Sequence, residues 1–377
     1  MPRAKPSALA TTLATTIALA DQFTTSLSAN ASDKIAPTAP GTPSPLILLN
    51  AAAASLKSQV TKLSLLAITL PFTPSAVSAC LKPVNDSVLP SLVTATLLST
   101  PELFSGTFSS ECRTLATAVL RDLQVLVRLV EQRSKSSQAK SGISDSEKKT
   151  ITEATGRVWE DCDQLVKLAD EGFAGFVVHK AKQWLELMKD AVKELEEWDP
   201  AEEVDDGDLF GDSLSDDGSD HDTPDEERKD ALTNDDRATI SAGVKDQALK
   251  VLNRIPQSIH VVVKQRLDKV GAQPLDSGQR SALDTILKRS RTISELIDES
   301  AEGMYLGDLE LCLKKAGEAR ALTIEVVESV IMPIVPSSAS DTVPETNEDK
   351  YIRRALEWIQ QVDPGDQLRQ PKGTEVA

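Results

Sequence analysis

SEKKTITEATGRVWEDCDQLVKLADEGFAGFVVHKAKQWLELMKDAVKELEEW, residues 146–198, is the stretch on which the fold turns. Ile151, Val158, Cys162, Leu165, Val166 and Ala169 recur mostly at three- and four-residue steps, the period of a helix with one buried stripe. A second stripe runs through Phe176, Ala181, Trp184 or Leu185, Met188, Val192 and Leu195. Gly172 and Gly175 lie between the stripes and predict a kink or a short break, in one long bent helix or two helices joined tightly. Asp145 or Ser146 is placed to cap the start.

The same period extends in both directions. Leu9, Leu13, Ile17, Ala20, Phe23 and Leu27 predict a helix over about residues 7–28. A Pro-rich link follows, and Pro45 opens a helix running from Leu46 to about Leu70. Thr73 or Ser75 caps a third, which Pro83 and Pro90 either kink or divide. Residues 107–132 form the cleanest helix of the first half, with Leu120, Val125, Val127 and Leu129 widening its stripe. Beyond residue 232, further helical patterns run to about residue 252, follow Pro256, begin near Ser277, occupy Leu309–Ile331 and close over Tyr351–Ile359. No stretch offers a period-two strand. The expectation is an all-α protein of nine or ten helices, most simply two antiparallel bundles linked through the long central helical segment.

Trp198 is followed by DPAEEVDDGDLFGDSLSDDGSDHDTPDEERKD, nearly all Asp, Glu, Ser and Gly. So little apolar surface does not offset the entropy of ordering, and the tract reads as a disordered acidic loop. The organisation expected is therefore an N-terminal bundle over 1–198 including the central segment, an acidic linker over 199–232, a C-terminal bundle over 233–365 and a flexible tail over 366–377. Ser213 and Ser219 have Asp216 and Asp222 three residues on, the arrangement acidophilic kinases prefer, and are candidate phosphorylation sites.

Composition narrows the function. The formal charge is −17 with no dense basic run, which disfavours a direct nucleic-acid surface. Cys80, Cys112, Cys162 and Cys312 are far apart in apolar helical patterns, as buried free thiols of a reducing compartment would be. His179, His221 and His260 do not join them at ligand spacing, so neither a metal nor a cofactor is expected. The N-terminal stretch lacks the strongly apolar core of a secretory signal, and no run is long and apolar enough to span a membrane. Phosphate-binding loops, dinucleotide fingerprints, nucleophile elbows and paired-His motifs do not occur. The acidic neighbours of Cys162 in WEDCDQL (159–165) oppose a thiolate nucleophile, so core packing is the reading there. A non-enzymatic chain of this kind acts by presenting a surface. Trp159, Trp184, Trp198 and Trp358 are its large aromatic anchors, for the core or for a partner.

TGRVWEDCDQLVKL (155–168), the Gly-interrupted helix ending KDAVKELEEW (189–198), the acidic tract and ISELIDESAEGMY (293–305) together resemble the fungal branch of the cyclin-D-binding protein family, also called cyclin-D-interacting or maternal Id-like proteins. The resemblance covers roughly residues 45–332. It implies two vinculin- or catenin-like helical bundles in the cytoplasm and nucleus. The partners it implies are D-type cyclins and helix–loop–helix transcription regulators, bound to restrain cell-cycle progression and transcription. Trp159, Cys162, Leu165, Trp184 and Trp198 would then be fold-defining or partner-surface positions with no catalytic role. The sequence departs from the family's pattern at Leu306–Gly307, after Met304–Tyr305, where prolines are expected. The architecture alone also suits a cytoskeletal or adhesion-type scaffold.

Overall fold

Among the described residues the helical periods of the sequence are realised as eleven α-helices and no strand. The computed structural model describes residues 7–28, 44–135, 142–199, 234–271, 274–335 and 346–362, the side chains of 234–238 excepted. The acidic tract beyond Asp199, with Ser213 and Ser219, and the tail over 366–377 lie outside these residues. The chain divides into two units, Met1–Phe176 and Val177–Ala377. This division falls inside the central helical segment, earlier than the boundary at residue 198 that the change in composition suggests.

The first unit holds α1 (Ala8–Ser28), α2 (Pro45–Ile68), α3 (Pro74–Pro83), α4 (Leu89–Leu98), α5 (Gly106–Lys135) and the first part of α6 (Asp145–Glu197). Thr residues dominate α1, and Thr12, Thr15 and Thr16 each donate to the carbonyl four residues back, which satisfies their hydroxyls within the helix. Ser44 caps α2, with Pro45 in the first turn where a missing N–H costs nothing. The two prolines of the third predicted helix divide it. Between α3 and α4, Val84–Val88 form a π turn in which the Leu89 N–H reaches back to the Val84 carbonyl. This division accounts for the eleventh helix.

Ser144, one residue ahead of the predicted cap, begins α6. Its hydroxyl accepts the Glu147 N–H at 3.2 Å, while the Glu147 carboxylate accepts the Ser144 N–H at 3.0 Å. At Gly172 the backbone leaves the helical region (φ 62°, ψ −168°), a conformation open essentially to glycine alone. Gly175 stays helical. Just past the break, Phe173 and Phe176 meet Phe108 edge-on, at ring separations of 6.1 and 5.3 Å, and Phe104 lies 4.9 Å from Phe108 on another side. Phe108 is fully buried, in a unit whose other core residues are mostly Leu, Val and Ala.

The second unit holds the rest of α6 with α7 (Asn234–Leu252), α8 (Arg254–Gln265), α9 (Ser277–Tyr305), α10 (Leu309–Ser329) and α11 (Asn347–Gln360). α9 and α10 pack against each other over much of their length. Small residues line their contact, and a Cβ on Gly303 would stand 2.9 Å from the Cys312 backbone nitrogen. Gly307, at φ 73°, closes α9, so the departure at Leu306–Gly307 is a glycine-terminated helix end.

Three arginines hold α11. Arg266, with only 4% of its side chain exposed, donates to the Val330 and Ile331 carbonyls at 2.8 and 2.9 Å and to Asp349 at 2.6 Å, in the first turn of α11. At the other end, Arg254 donates to the Trp358 carbonyl at 2.6 Å and lies 5.0 Å from that indole's centre. Arg320 donates to the Ile359 and Gln360 carbonyls at 3.1 and 2.8 Å. Cations at the C-terminal carbonyls also complement the helix dipole.

Candidate functional site

The WEDCDQL segment sits on the first part of α6 and shows what its period achieves. Val158, Cys162 and Leu165 point inward and are fully buried, while Trp159, Glu160, Asp163 and Gln164 are exposed. Asp161 is half-buried at the margin. One flank of the segment meets α2. Lys57 binds Asp163 at 2.6 Å and Asn50 donates to Asp170 at 2.6 Å, a seven-residue step on each helix run in opposite senses. That register sets Trp159, one turn before Asp163, across from Thr61 on α2, with Leu65 one turn further along. Trp159 is 37% exposed and Leu65 55% exposed, so this flank presents an indole and an isobutyl group beside an ion pair.

The other flank meets α5. Arg157 approaches Asp122 at 3.5 Å, and Asp161 shares the same ground as Asp122. Burial raises the Asp161 carboxyl, and the Asp122 carboxylate beside it, then Glu160, raise it further against the pull of Arg157, to about 6. One oxygen of Asp161 is buried without a hydrogen-bond partner.

Cys162 is held as a protonated, buried thiol. Burial pushes its thiol up to about 12, and Asp161 and Asp163 add to that against Lys57. Cys112 is likewise pushed up to about 12 by burial. The four thiols are free and buried. Among the described residues no group of three or more His, Cys, Asp or Glu is placed to hold a metal ion, and no helix is long and apolar enough to cross a membrane.

Trp184 and Trp198 belong to the second unit, apart from the other three predicted positions. Leu185 takes the core position at 2% exposure and leaves Trp184 half-buried. Trp198 lies edge-on to Tyr305 at 5.3 Å, and Lys245 donates to the carbonyls of Glu196 and Trp198. These contacts fix the end of α6. Asp122, Arg157, Lys57 and Leu65 are the members of the first-unit surface that sequence reasoning missed. The four-residue step from Arg157 to Asp161 was visible, but the partner helices that give it meaning were not.

Comparison with known proteins bears on this same stretch. Residues 48–201 match the family model described as Grap2 and cyclin-D-interacting, N-terminal. An uncharacterized protein of Schizosaccharomyces pombe is 28% identical over 178 residues, which is 46% of this chain. The matched region spans 50% of that protein's length.

Proposed function

We propose that the chain is an adaptor that regulates cell-cycle progression or transcription by binding a cyclin or a helix–loop–helix regulator, a reading supported by the match of residues 48–201 to the Grap2 and cyclin-D-interacting, N-terminal family model. The domain is an all-α, non-enzymatic protein-interaction module. One observation carries the finer reading. The segment that carries the family resemblance presents Trp159 at its surface, while Val158, Cys162, Leu165 and Leu168 are buried. Exposed indoles in a mixed apolar and charged setting are the residues that dominate protein interfaces. Trp184 and Trp198 serve as fold-defining anchors of the second unit in this reading. The two units are bundles of the vinculin and catenin kind, working in the cytoplasm and nucleus. The acidic tract takes part in regulation through phosphorylation of Ser213 and Ser219.

The test uses the full chain and its Trp159→Ala variant, against cyclins and helix–loop–helix regulators from the same organism, by titration calorimetry. At least one such partner binds, and the variant loses tenfold or more in affinity while Cys162 remains protected from alkylation. Undiminished binding by the variant would remove Trp159 from the interface. Recovery of actin-linked partners instead of a cyclin or transcription regulator would overturn the regulatory reading in favour of a cytoskeletal scaffold.

A further inference from the structure

A groove of about 520 Å³ opens along one side of α5, bounded by the end of α1 at Leu27 and Ser28 and by Pro101. Ser109, Arg113, Thr117 and Arg121 follow one another along it at four-residue steps, and Ser110 and Thr114 form a second polar row. The groove's donors are unspent. Most Thr side chains on the other helices donate to the carbonyl four residues back, as Thr12, Thr61, Thr155 and Thr323 do. Ser109, Ser110, Thr114 and Thr117 make no such bond among the described residues. Neither Arg113 nor Arg121 has a carboxylate partner there, and the buried Nε of Arg113 has no acceptor. Glu102, beside Pro101, is already engaged by the Thr100 hydroxyl and its own N–H.

In a chain of net charge −17, two guanidiniums left unpaired among four free hydroxyls call for an anion with many acceptor oxygens. A single carboxylate offers two oxygens and one charge. A phosphate monoester offers three terminal oxygens and close to two charges, and guanidiniums engage it in pairs of parallel bonds. The Cα atoms of Arg113 and Arg121 stand about 12 Å apart along two turns of helix, a span two extended side chains close around one such group. The open, elongated groove accommodates an extended chain on either side of it. We propose that this groove is a docking site for a phosphoserine- or phosphothreonine-containing segment of a partner protein. This mode of recognition relies on arginine clusters.

The test presents the immobilised full chain with degenerate peptide libraries that differ only at a fixed central position, phosphoserine, glutamate or serine. The phosphoserine library is retained at least tenfold more than either of the others, and free inorganic phosphate at millimolar concentration competes. An Arg113→Gln/Arg121→Gln variant loses that retention, whereas Arg128→Gln, on the same helix outside the groove, keeps it. Unchanged circular dichroism and Cys112 protection show that the variants are folded. Equal retention of the three libraries, no retention at all, or retention that survives the double substitution would overturn the proposal. Trp159→Ala leaves phosphopeptide retention unaltered, so failure of this site and failure of the adaptor surface are told apart.

Discussion

The paired carboxylates between α5 and α6 give the most quantitative prediction. Asp161 is held at about 6 instead of the ordinary 3.8 by burial and by Asp122. Between those two values the native chain binds a proton that the unfolded chain does not. Stability from this group is therefore fully present below the unfolded value and is lost as pH rises through about 6. The full shift corresponds to roughly 3 kcal/mol at 1.36 kcal/mol per unit. Asp161 is half-buried, so screening by solvent reduces the realistic cost to about 1–2 kcal/mol. Asp161→Asn removes the like-charge term and keeps a donor for the Asp122 carboxylate. The variant is expected to stabilise the first unit at pH 8 by about 1–2 kcal/mol and to be nearly neutral at pH 4. With two units in one chain, a global melt does not isolate this effect. The assay is therefore a urea series equilibrated at each pH, pulsed with an alkylating reagent at a common pH, with modification read at Cys162 by mass spectrometry. A variant that lowers the Cys162 midpoint at pH 8, or that keeps the wild-type slope between about pH 4 and 6, would refute the reasoning.

Other substitutions test the backbone and the arginine contacts. Gly172→Ala has room for its methyl group, whose nearest neighbour is Leu46 at 3.9 Å, yet φ 62° strains it, so the first unit loses about 1–3 kcal/mol; unchanged protection at Cys112 and Cys162 in urea would contradict this. Gly303→Ala places a Cβ 2.9 Å from the Cys312 nitrogen, and the expected loss of about 1–3 kcal/mol is read as earlier exposure of Cys312. A silent Gly303→Ala would mean that α9 and α10 part freely. Arg266→Ala leaves two carbonyls and Asp349 without their guanidinium, at a cost of about 3 kcal/mol, and amide exchange in α11 accelerates while that in α5 does not. Uniform acceleration across both units would show that Arg266 supports more than its own unit.

The fold was legible in the sequence because its main signal is local. A stripe such as Val158, Cys162, Leu165 and Ala169 repeats at the helical period, and burial of that stripe is what the structure shows. The break at Gly172 was readable for the same reason, since a positive φ has to be served by a particular residue, whereas Gly307 stood out in the sequence only as a departure from the family's pattern. The missing parts depend on partners distant in sequence. Arg266, in VVVKQRLDK, reads as a solvated charge until the carbonyls 64 and 65 residues away close on it. Asp161 is one acid among 58 until α5 brings Asp122 alongside. The choice between Trp184 and Leu185 was open for a related reason, because neighbouring positions share a helical margin and packing decides between them. Of the candidate surface, Trp159 could be named from sequence, but its exposure could not.

The arginine clamps on α11 make that helix sensitive to length more than to surface chemistry. Tyr351 and Arg354 are exposed, and exchanging them leaves every clamped group in place. Adding or removing one residue mid-helix is a different matter. It swings the terminal carbonyls by roughly 100° and slides them about 1.5 Å along the axis. The oxygens that Arg254 and Arg320 hold would then face elsewhere while Asp349 stayed anchored to Arg266. α11 thus works as a measured spacer, and relatives with this clamp should vary its outer residues freely while conserving the count between Asp349 and Gln360.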